Sequence, residues 1–233
     1  MEFNIVNQSN LEKTIEYSFS DKNLLKQALT HRSYINENPS WGISNNERME
    51  FLGDAVLELA VTEELFNRYP DEAEGKLTSL RASLVNYQML AAIARDTIYL
   101  EQFILLSRGE AKDTGRAREV ILANAMESLI GSIYLDSNYA SARAFVNKFI
   151  MPNLDQVIRH GLDKDAKSLL QEKVQAKLKI TPIYKMLNER GPEHEKIFRV
   201  GVYFGDKFII DGEGLSKQEA ELEAAKKALE SNH

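Results

Sequence analysis

Asn46-Glu47-Arg48-Met49-Glu50-Phe51-Leu52-Gly53-Asp54-Ala55-Val56-Leu57-Glu58-Leu59 decides how the chain is read. Met49, Leu52, Val56 and Leu59 recur at i, i+3, i+7 and i+10, the stripe of an amphipathic helix. Glu47, Glu50 and Asp54 then fall within roughly 60° of one another on the opposite side, with Glu58 one turn further on. Carboxylates at this spacing repel one another, and the repulsion grows where water is scarce. The one basic residue within the stretch, Arg48, points elsewhere. A divalent cation would relieve the repulsion, because hard cations take oxygen ligands. The ordinary alternative is a solvated acidic face. Two residues weigh against it. Phe51 stands at the edge of the acids, where a solvated face has no use for a large ring. Gly53 sits mid-helix at a cost of about 1 kcal/mol relative to Ala, which suggests close approach of another backbone.

A second stretch, Val120 to Asp136, is apolar nearly all round, as in a helix buried in a bundle. Asn124 and Glu127 are the strongly polar residues in its middle, and at i, i+3 they share a face. A buried Glu needs a partner, either a hydrogen bond from a neighbouring helix or a metal. Around these two stretches lie further helical segments. Ser20-Asp21-Lys22 opens a short helix with a serine cap. His31 reads as a structural hydrogen-bonder, and Asn36 to Asn45 as a loop. The first stretch ends near Tyr69, ahead of Pro70. Glu74 starts a helix that continues towards Asp96. Leu105 to Arg116 reads as a polar loop, and Ala140 to Ile158 as a last helix interrupted near Pro152.

Composition sets the outer limits. The chain has 233 residues, enough for one large domain or two small ones. It contains no cysteine, which excludes disulfides and thiolate metal sites. No apolar run reaches membrane-span length, and Met1 to Val6 lacks the pattern of a secretion signal. A cytoplasmic protein is expected, with no membrane partner. The net charge of −6 argues against nucleic-acid binding by bulk charge. Residues 1–160 hold 16 basic and 22 acidic side chains, whereas the remainder is balanced. Any nucleic-acid footprint must therefore be local.

After a short polar stretch at 161–165 the pattern changes. Ala166 to Leu178 is an amphipathic helix with Leu169, Leu170, Val174 and Leu178 inward. Three β-like runs follow, Ile183 to Glu189, Lys196 to Phe204 and Lys207 to Glu213, the last two joined at Gly205-Asp206. Ser216 caps a final helix with Ala220, Ala224, Ala225, Ala228 and Leu229 on one side.

Asn46 to Leu57 resembles the signature of the ribonuclease III family, N-E-R-L-E-F-L-G-D-[SA]-V-L. His31-Arg32-Ser33-Tyr34, Glu74 to Val85 and Ala123 to Gly131 resemble that family's accompanying motifs. The α-β-β-β-α order of the back half resembles a double-stranded RNA binding domain, with Leu169-Leu170-Gln171-Glu172, Gly191-Pro192-Glu193-His194, Gly212 to Lys217 and Glu223-Ala224-Ala225 as its motifs. The fold implied is an all-α endonuclease domain followed by a small α+β (α-β-β-β-α) domain. The boundaries implied are 1–160 for catalysis and dimerisation, 161–165 for a linker and 166–233 for duplex RNA binding.

The resemblance implies a Mg²⁺-dependent endoribonuclease, with Mn²⁺ able to substitute. It cuts double-stranded RNA to 5′-phosphate and 3′-hydroxyl ends and processes rRNA and other structured RNA. Glu50, Asp54, Asn124 and Glu127 would be the metal ligands, with Asp54 and Glu127 catalytic. Glu47 and Glu74 would lie close behind the ligands or near the RNA. Ser168, Gln171, Glu172, Gln175, His194 and Lys217 would touch RNA, and Phe51 would be a contact in a homodimer. One departure is Asn124, where the family has Asp: it keeps a carbonyl oxygen but brings no charge. Hence the alternative reading, a non-cleaving double-stranded RNA binding protein with a weakened metal site.

Overall fold

The computed structural model describes residues 5–160, 166–191 and 196–231. The chain divides into two compact units, Met1–Asp163 and Lys164–His233. The expected linker, 161–165, lies outside the described residues.

The first unit is helical: α1 (Ile5–Ile15), α2 (Lys22–Ala28), α3 (Arg32–Glu37), α4 (Glu47–Arg68), α5 (Glu74–Val85), α6 (Tyr87–Asp96), α7 (Arg116–Asp136), α8 (Tyr139–Phe149) and α9 (Leu154–His160). Helix α7 runs through the middle and packs on α2, α4, α6 and α8. From Ile121 to Ile133 its side chains are almost all buried, which explains an apolar sequence on every side.

Helix α4 carries a glycine where it crosses α7. A Cβ on Gly53 would lie 1.8 Å from the Glu127 backbone oxygen, and one on Gly131 would lie 2.4 Å from the Met49 oxygen. The two backbones touch there, as the cost of a mid-helix glycine suggested.

Several local readings are corrected. The cap of α2 is Asp21, not Ser20: its side chain accepts from the Asn23 N–H at 2.9 Å. The expected loop begins at Asn38, not Asn36, because α3, capped by His31, runs on to Glu37. The segment from Glu74 to Asp96 is two helices. Asn86 breaks it, donating its amide to the Ala82 and Ser83 carbonyls and accepting from the Met89 N–H. One side chain thus caps both helices. Helix α7 begins at Arg116, earlier than Val120, and a 3₁₀ turn at Glu110–Lys112 lies in the preceding loop. The helix α1 had no counterpart in the sequence reading. In α4 the buried face is centred on Gly53 and Leu57, so Leu52 is half-buried and Leu59 is exposed.

The second unit contains α10 (Ala166–Leu178), β1 (Pro182–Arg190), β2 (Ile197–Phe204), β3 (Lys207–Gly214) and α11 (Lys217–Glu230). The strands form an antiparallel sheet in the order β1-β2-β3, and Phe204 pairs with Lys207 across the two-residue turn. Leu170, Val174, Val202, Ala224, Ala225 and Ala228 form its core. The alanines let α11 lie directly on β3, where a Cβ on Gly212 would meet the Ala224 nitrogen at 2.3 Å. Leu178 is exposed, not inward, because α10 ends there beyond the edge of the core.

Candidate functional site

Asn46 starts the site. It is buried, its backbone N–H donates to the Thr30 carbonyl at 3.0 Å, and its amide donates to Ala28 at 3.3 Å. The Ser128 hydroxyl of α7 donates to the Asn46 carbonyl at 3.3 Å. The N-terminus of α4 is therefore fixed to α2 and α7 before the acids begin. The crossing at Gly53 and Gly131 does the rest: Glu127 from α7 faces Glu50 and Asp54 from α4.

The electrostatics register that convergence. The Glu127 carboxyl is pushed up to about 8, first by burial, then by the charges of Asp54 and Glu50. Glu50 is raised too, by burial and then by Glu47. A hydrogen bond from Asn124 and the charge of Arg32 act on Glu50 in the opposite sense. Asn124 and Glu127 are half-buried on one face of α7, and Asp54 is exposed. Glu127 of α7 is thus within electrostatic reach of Glu50 and Asp54 of α4, and Asn124 of α7 is hydrogen-bonded to Glu50. Among the described residues, no group of three His, Cys, Asp or Glu side chains is gathered tightly enough to hold a metal ion. Asn124 adds an amide beside Glu50 and brings no charge of its own.

The remaining acids differ. Glu47 is exposed and pairs with Arg32 at 3.5 Å and with the Asn45 amide at 3.1 Å. Arg32 was not singled out from sequence, although it lies in the His31 to Tyr34 motif; its role depends on how α3 folds against α4. Glu74 is the first residue of α5 and accepts from the Thr78 hydroxyl at 3.1 Å. No recorded interaction among the described residues links it to the four. Burial lowers the His31 pKa, and its Nδ1 accepts from the Ser33 N–H, the structural role expected. Phe51 is 82% exposed beside the acids. With Leu59 and Phe66, also exposed, it forms an apolar stripe along the outer side of α4.

In the second unit Ser168, Gln171, Glu172 and Gln175 occupy one exposed face of α10. The Gln175 amide donates to the Thr181 hydroxyl at 3.2 Å. Lys217 is exposed at the first position of α11, next to the cap Ser216, whose hydroxyl accepts from the Glu219 N–H at 3.1 Å. A cation there adds to the positive end of the helix dipole, a combination suited to phosphate. His194 lies outside the described residues.

Comparisons with known proteins fall on both units. Residues 21–154 match a family model described as Ribonuclease-III-like, and residues 166–232 match the Double-stranded RNA binding motif. The chain is 46% identical over 225 residues to Ribonuclease 3 of Borreliella burgdorferi, covering 95% of this chain and 91% of that protein. It is 44% identical over 224 residues to Ribonuclease 3 of Carboxydothermus hydrogenoformans, covering 96% and 95%. Among solved structures, the nuclease domain of the Campylobacter jejuni ribonuclease III is 43% identical, with a TM-score of 0.56, over 62% of this chain and 96% of that one. That domain has a region involved in dimer formation.

Proposed function

The chain belongs to the ribonuclease III family, an endoribonuclease acting on double-stranded RNA, and from that premise we propose how its residues do the work. The observation that carries the reading is the crossing of α4 and α7, which turns Glu127 towards Glu50 and Asp54.

The donor set suits Mg²⁺, with Mn²⁺ as a substitute. It consists of oxygen donors alone, three carboxylates and one amide carbonyl. Burial first, and neighbouring carboxylates second, raise the Glu50 and Glu127 pKa values, and a divalent ion would favour their charged forms against both. Glu50, Asp54, Asn124 and Glu127 would hold the ion. When bound, it supplies charge neutralisation at the scissile phosphate and a water of lowered pKa.

The protein's own part is positioning. The Asn124 amide orients the Glu50 carboxylate. Asp54 is exposed, where an approaching substrate would reach it, and Glu127 is half-buried. In-line attack of water on phosphorus breaks the bond to O3′ and leaves a 3′-hydroxyl and a 5′-phosphate. Glu47, held by Arg32, keeps negative charge at the rim, and Glu74 is assigned to the RNA-proximal surface.

We assign catalysis and dimerisation to residues 1–160, the linker to 161–165 and duplex binding to 166–233. Duplex RNA offers a shallow minor groove with 2′-hydroxyls and flanking phosphates. Ser168, Gln171, Glu172 and Gln175 would face one minor groove, His194 the next, and Lys217 the phosphates between. Cutting both strands takes two sites, and the exposed Phe51 stripe supports a symmetric homodimer as their source. Among the described residues no helix is long and apolar enough to cross a membrane. We place the enzyme's action, the processing of rRNA and other structured RNA, in the cytoplasm.

The test is Glu127→Gln. Duplex binding should persist in a gel shift while cleavage with Mg²⁺ falls about a hundredfold or more. Undiminished cleavage would remove Glu127 from the site. Deleting residues 161–233 should abolish duplex binding, and unchanged processing would count against the second unit's role.

A further inference from the structure

The second unit has an apolar cavity of about 660 Å³, lined by none of the described residues assigned to RNA. It is lined by Leu170 and Val174 of α10, Phe204 of β2, Ile209 of β3 and Leu229 of α11, with Leu178 of α10 at its edge. Cavities of this size hold ligands or anchoring side chains. Lys173 and Lys177 flank it on α10, and Lys207 flanks it on β3. No Asp or Glu is among its described lining residues.

We propose that this cavity is a docking site for an acidic amphipathic helix of a partner protein. Its apolar side chains would enter the cavity, and its carboxylates would flank them. The placement of the cations selects this occupant. Lysines stand on two different elements, so an occupant needs negative charge on both sides of its apolar anchor. A fatty acid carries one charged head and satisfies one side. The open mouth points the same way: Leu178 is 53% exposed at its edge, where a helix face covers it. Lys177 also answers the C-terminal dipole of α10, so attraction rests chiefly on Lys173 and Lys207.

The site is separate from the residues assigned to RNA. Lys217 begins α11 and Leu229 is near its end, about 18 Å apart along the helix. On α10 the proposed RNA face is exposed, whereas Leu170 and Val174 point into the core and cavity. Partner and duplex RNA therefore bind together.

The full chain is titrated with a fluorescent synthetic helix of about four turns, Leu at i, i+3, i+4 and i+7 and Glu elsewhere. The expected result is saturable binding that weakens with salt, with no binding of the same peptide carrying Lys for Glu. Leu178→Glu, at an exposed position that spares the fold, should abolish it. Lys173→Glu with Lys207→Glu should weaken it about tenfold, the scale of two partly exposed charge pairs. Duplex RNA affinity should be unchanged in all variants. No binding, equal binding of the Lys peptide, or binding unaffected by Leu178→Glu would overturn the assignment. Displacement of the peptide by RNA, or saturable binding of dodecanoate with none of the Glu peptide, would overturn it equally.

Discussion

Gly53 of α4 and Glu127 of α7 are in backbone contact: a Cβ on the glycine would lie 1.8 Å from the Glu127 carbonyl oxygen. The acidic site exists because a residue without a side chain lets the two helices meet. Gly53→Ala should therefore destabilise the protein, although alanine is the better helix former by about 1 kcal/mol. Overpacking costs about 1–3 kcal/mol where side chains can shift, and backbone cannot shift as easily. The expected net loss is about 2 kcal/mol, read as a drop of about 5 °C in thermal denaturation. Cleavage should fall further than stability, because the helices must separate at the site. A raised Tm would refute the close approach.

The two glycines and the acids between them show what was legible from sequence. Helical periodicity gave the acidic face, and the cost of Gly53 signalled the neighbour. Which helix that neighbour is stayed open in the residues themselves; only the family resemblance placed Glu127 in one site with Glu50 and Asp54. The α-β-β-β-α order was plain because each run has its own period and Ser216 and Gly205-Asp206 mark the boundaries. What escaped depended on tertiary partners. Asn86 splits a continuous helical pattern by bonding both ways at once. Leu59 and Leu178 look like core residues, yet one lies on an outer face and the other past a helix end. Arg32 meets Glu47 only after α3 folds.

Restoring a carboxylate at position 124 should change the demand for metal. In Asn124→Asp, Glu50 loses the hydrogen bond that favours its charged form, and a fourth carboxylate joins the cluster. The Mg²⁺ concentration for half-maximal cleavage should fall, and Mg²⁺ should bind more tightly by calorimetry. Without metal the variant should be less stable. An unchanged Mg²⁺ requirement would show that position 124 is not a ligand.

The metal-free protein should lose stability as pH rises. Glu127 has a folded pKa of about 8 against an ordinary 4.5, so its protonated form is favoured by folding. That contribution is complete below 4.5 and is lost as pH climbs through 8. Urea denaturation in EDTA from pH 5 to 8.5 should show the decline, and Glu127→Gln should flatten it. Added Mg²⁺ should stabilise most at the alkaline end, where the carboxylates are ionised. An equally steep decline in the Gln variant would move the effect to other groups.

Asp136 at the end of α7 holds the segment between α1 and α2. Its carboxylate accepts from the Tyr17 hydroxyl at 2.8 Å and from the Ser20 and Asp21 N–H groups at 2.9 and 2.8 Å. Burial would raise its pKa, but these donors and Lys22 outweigh it and hold it below the ordinary value of 3.8. Its contribution is therefore present above 3.8 and lost as pH falls through the folded value. Asp136→Asn should cost about 1.5–3 kcal/mol at neutral pH, and Tyr17→Phe about 1 kcal/mol. Chemical denaturation measures both. A neutral Asp136→Asn would mean that the segment is held by α1 packing alone.

Phe51 gives the sharpest test of the homodimer. At 82% exposed it adds nothing to the core, so replacing it cannot unfold the protein by leaving a cavity. An isologous interface uses each residue twice, so one substitution removes two contacts. Truncating a central aromatic typically costs about 2 kcal/mol or more, and Phe51→Asp also places two carboxylates beside the acids of both sites. Sedimentation should show a monomer with an unaltered circular dichroism spectrum. Cleavage should then lose its paired cuts, because a lone site reaches one strand, and raising the protein concentration should not restore them. Phe66→Asp, on the same outer side of α4, should act in the same direction. If Phe51→Asp sediments as a dimer and cuts both strands, the α4 stripe is not the interface and the partner copy must meet another surface.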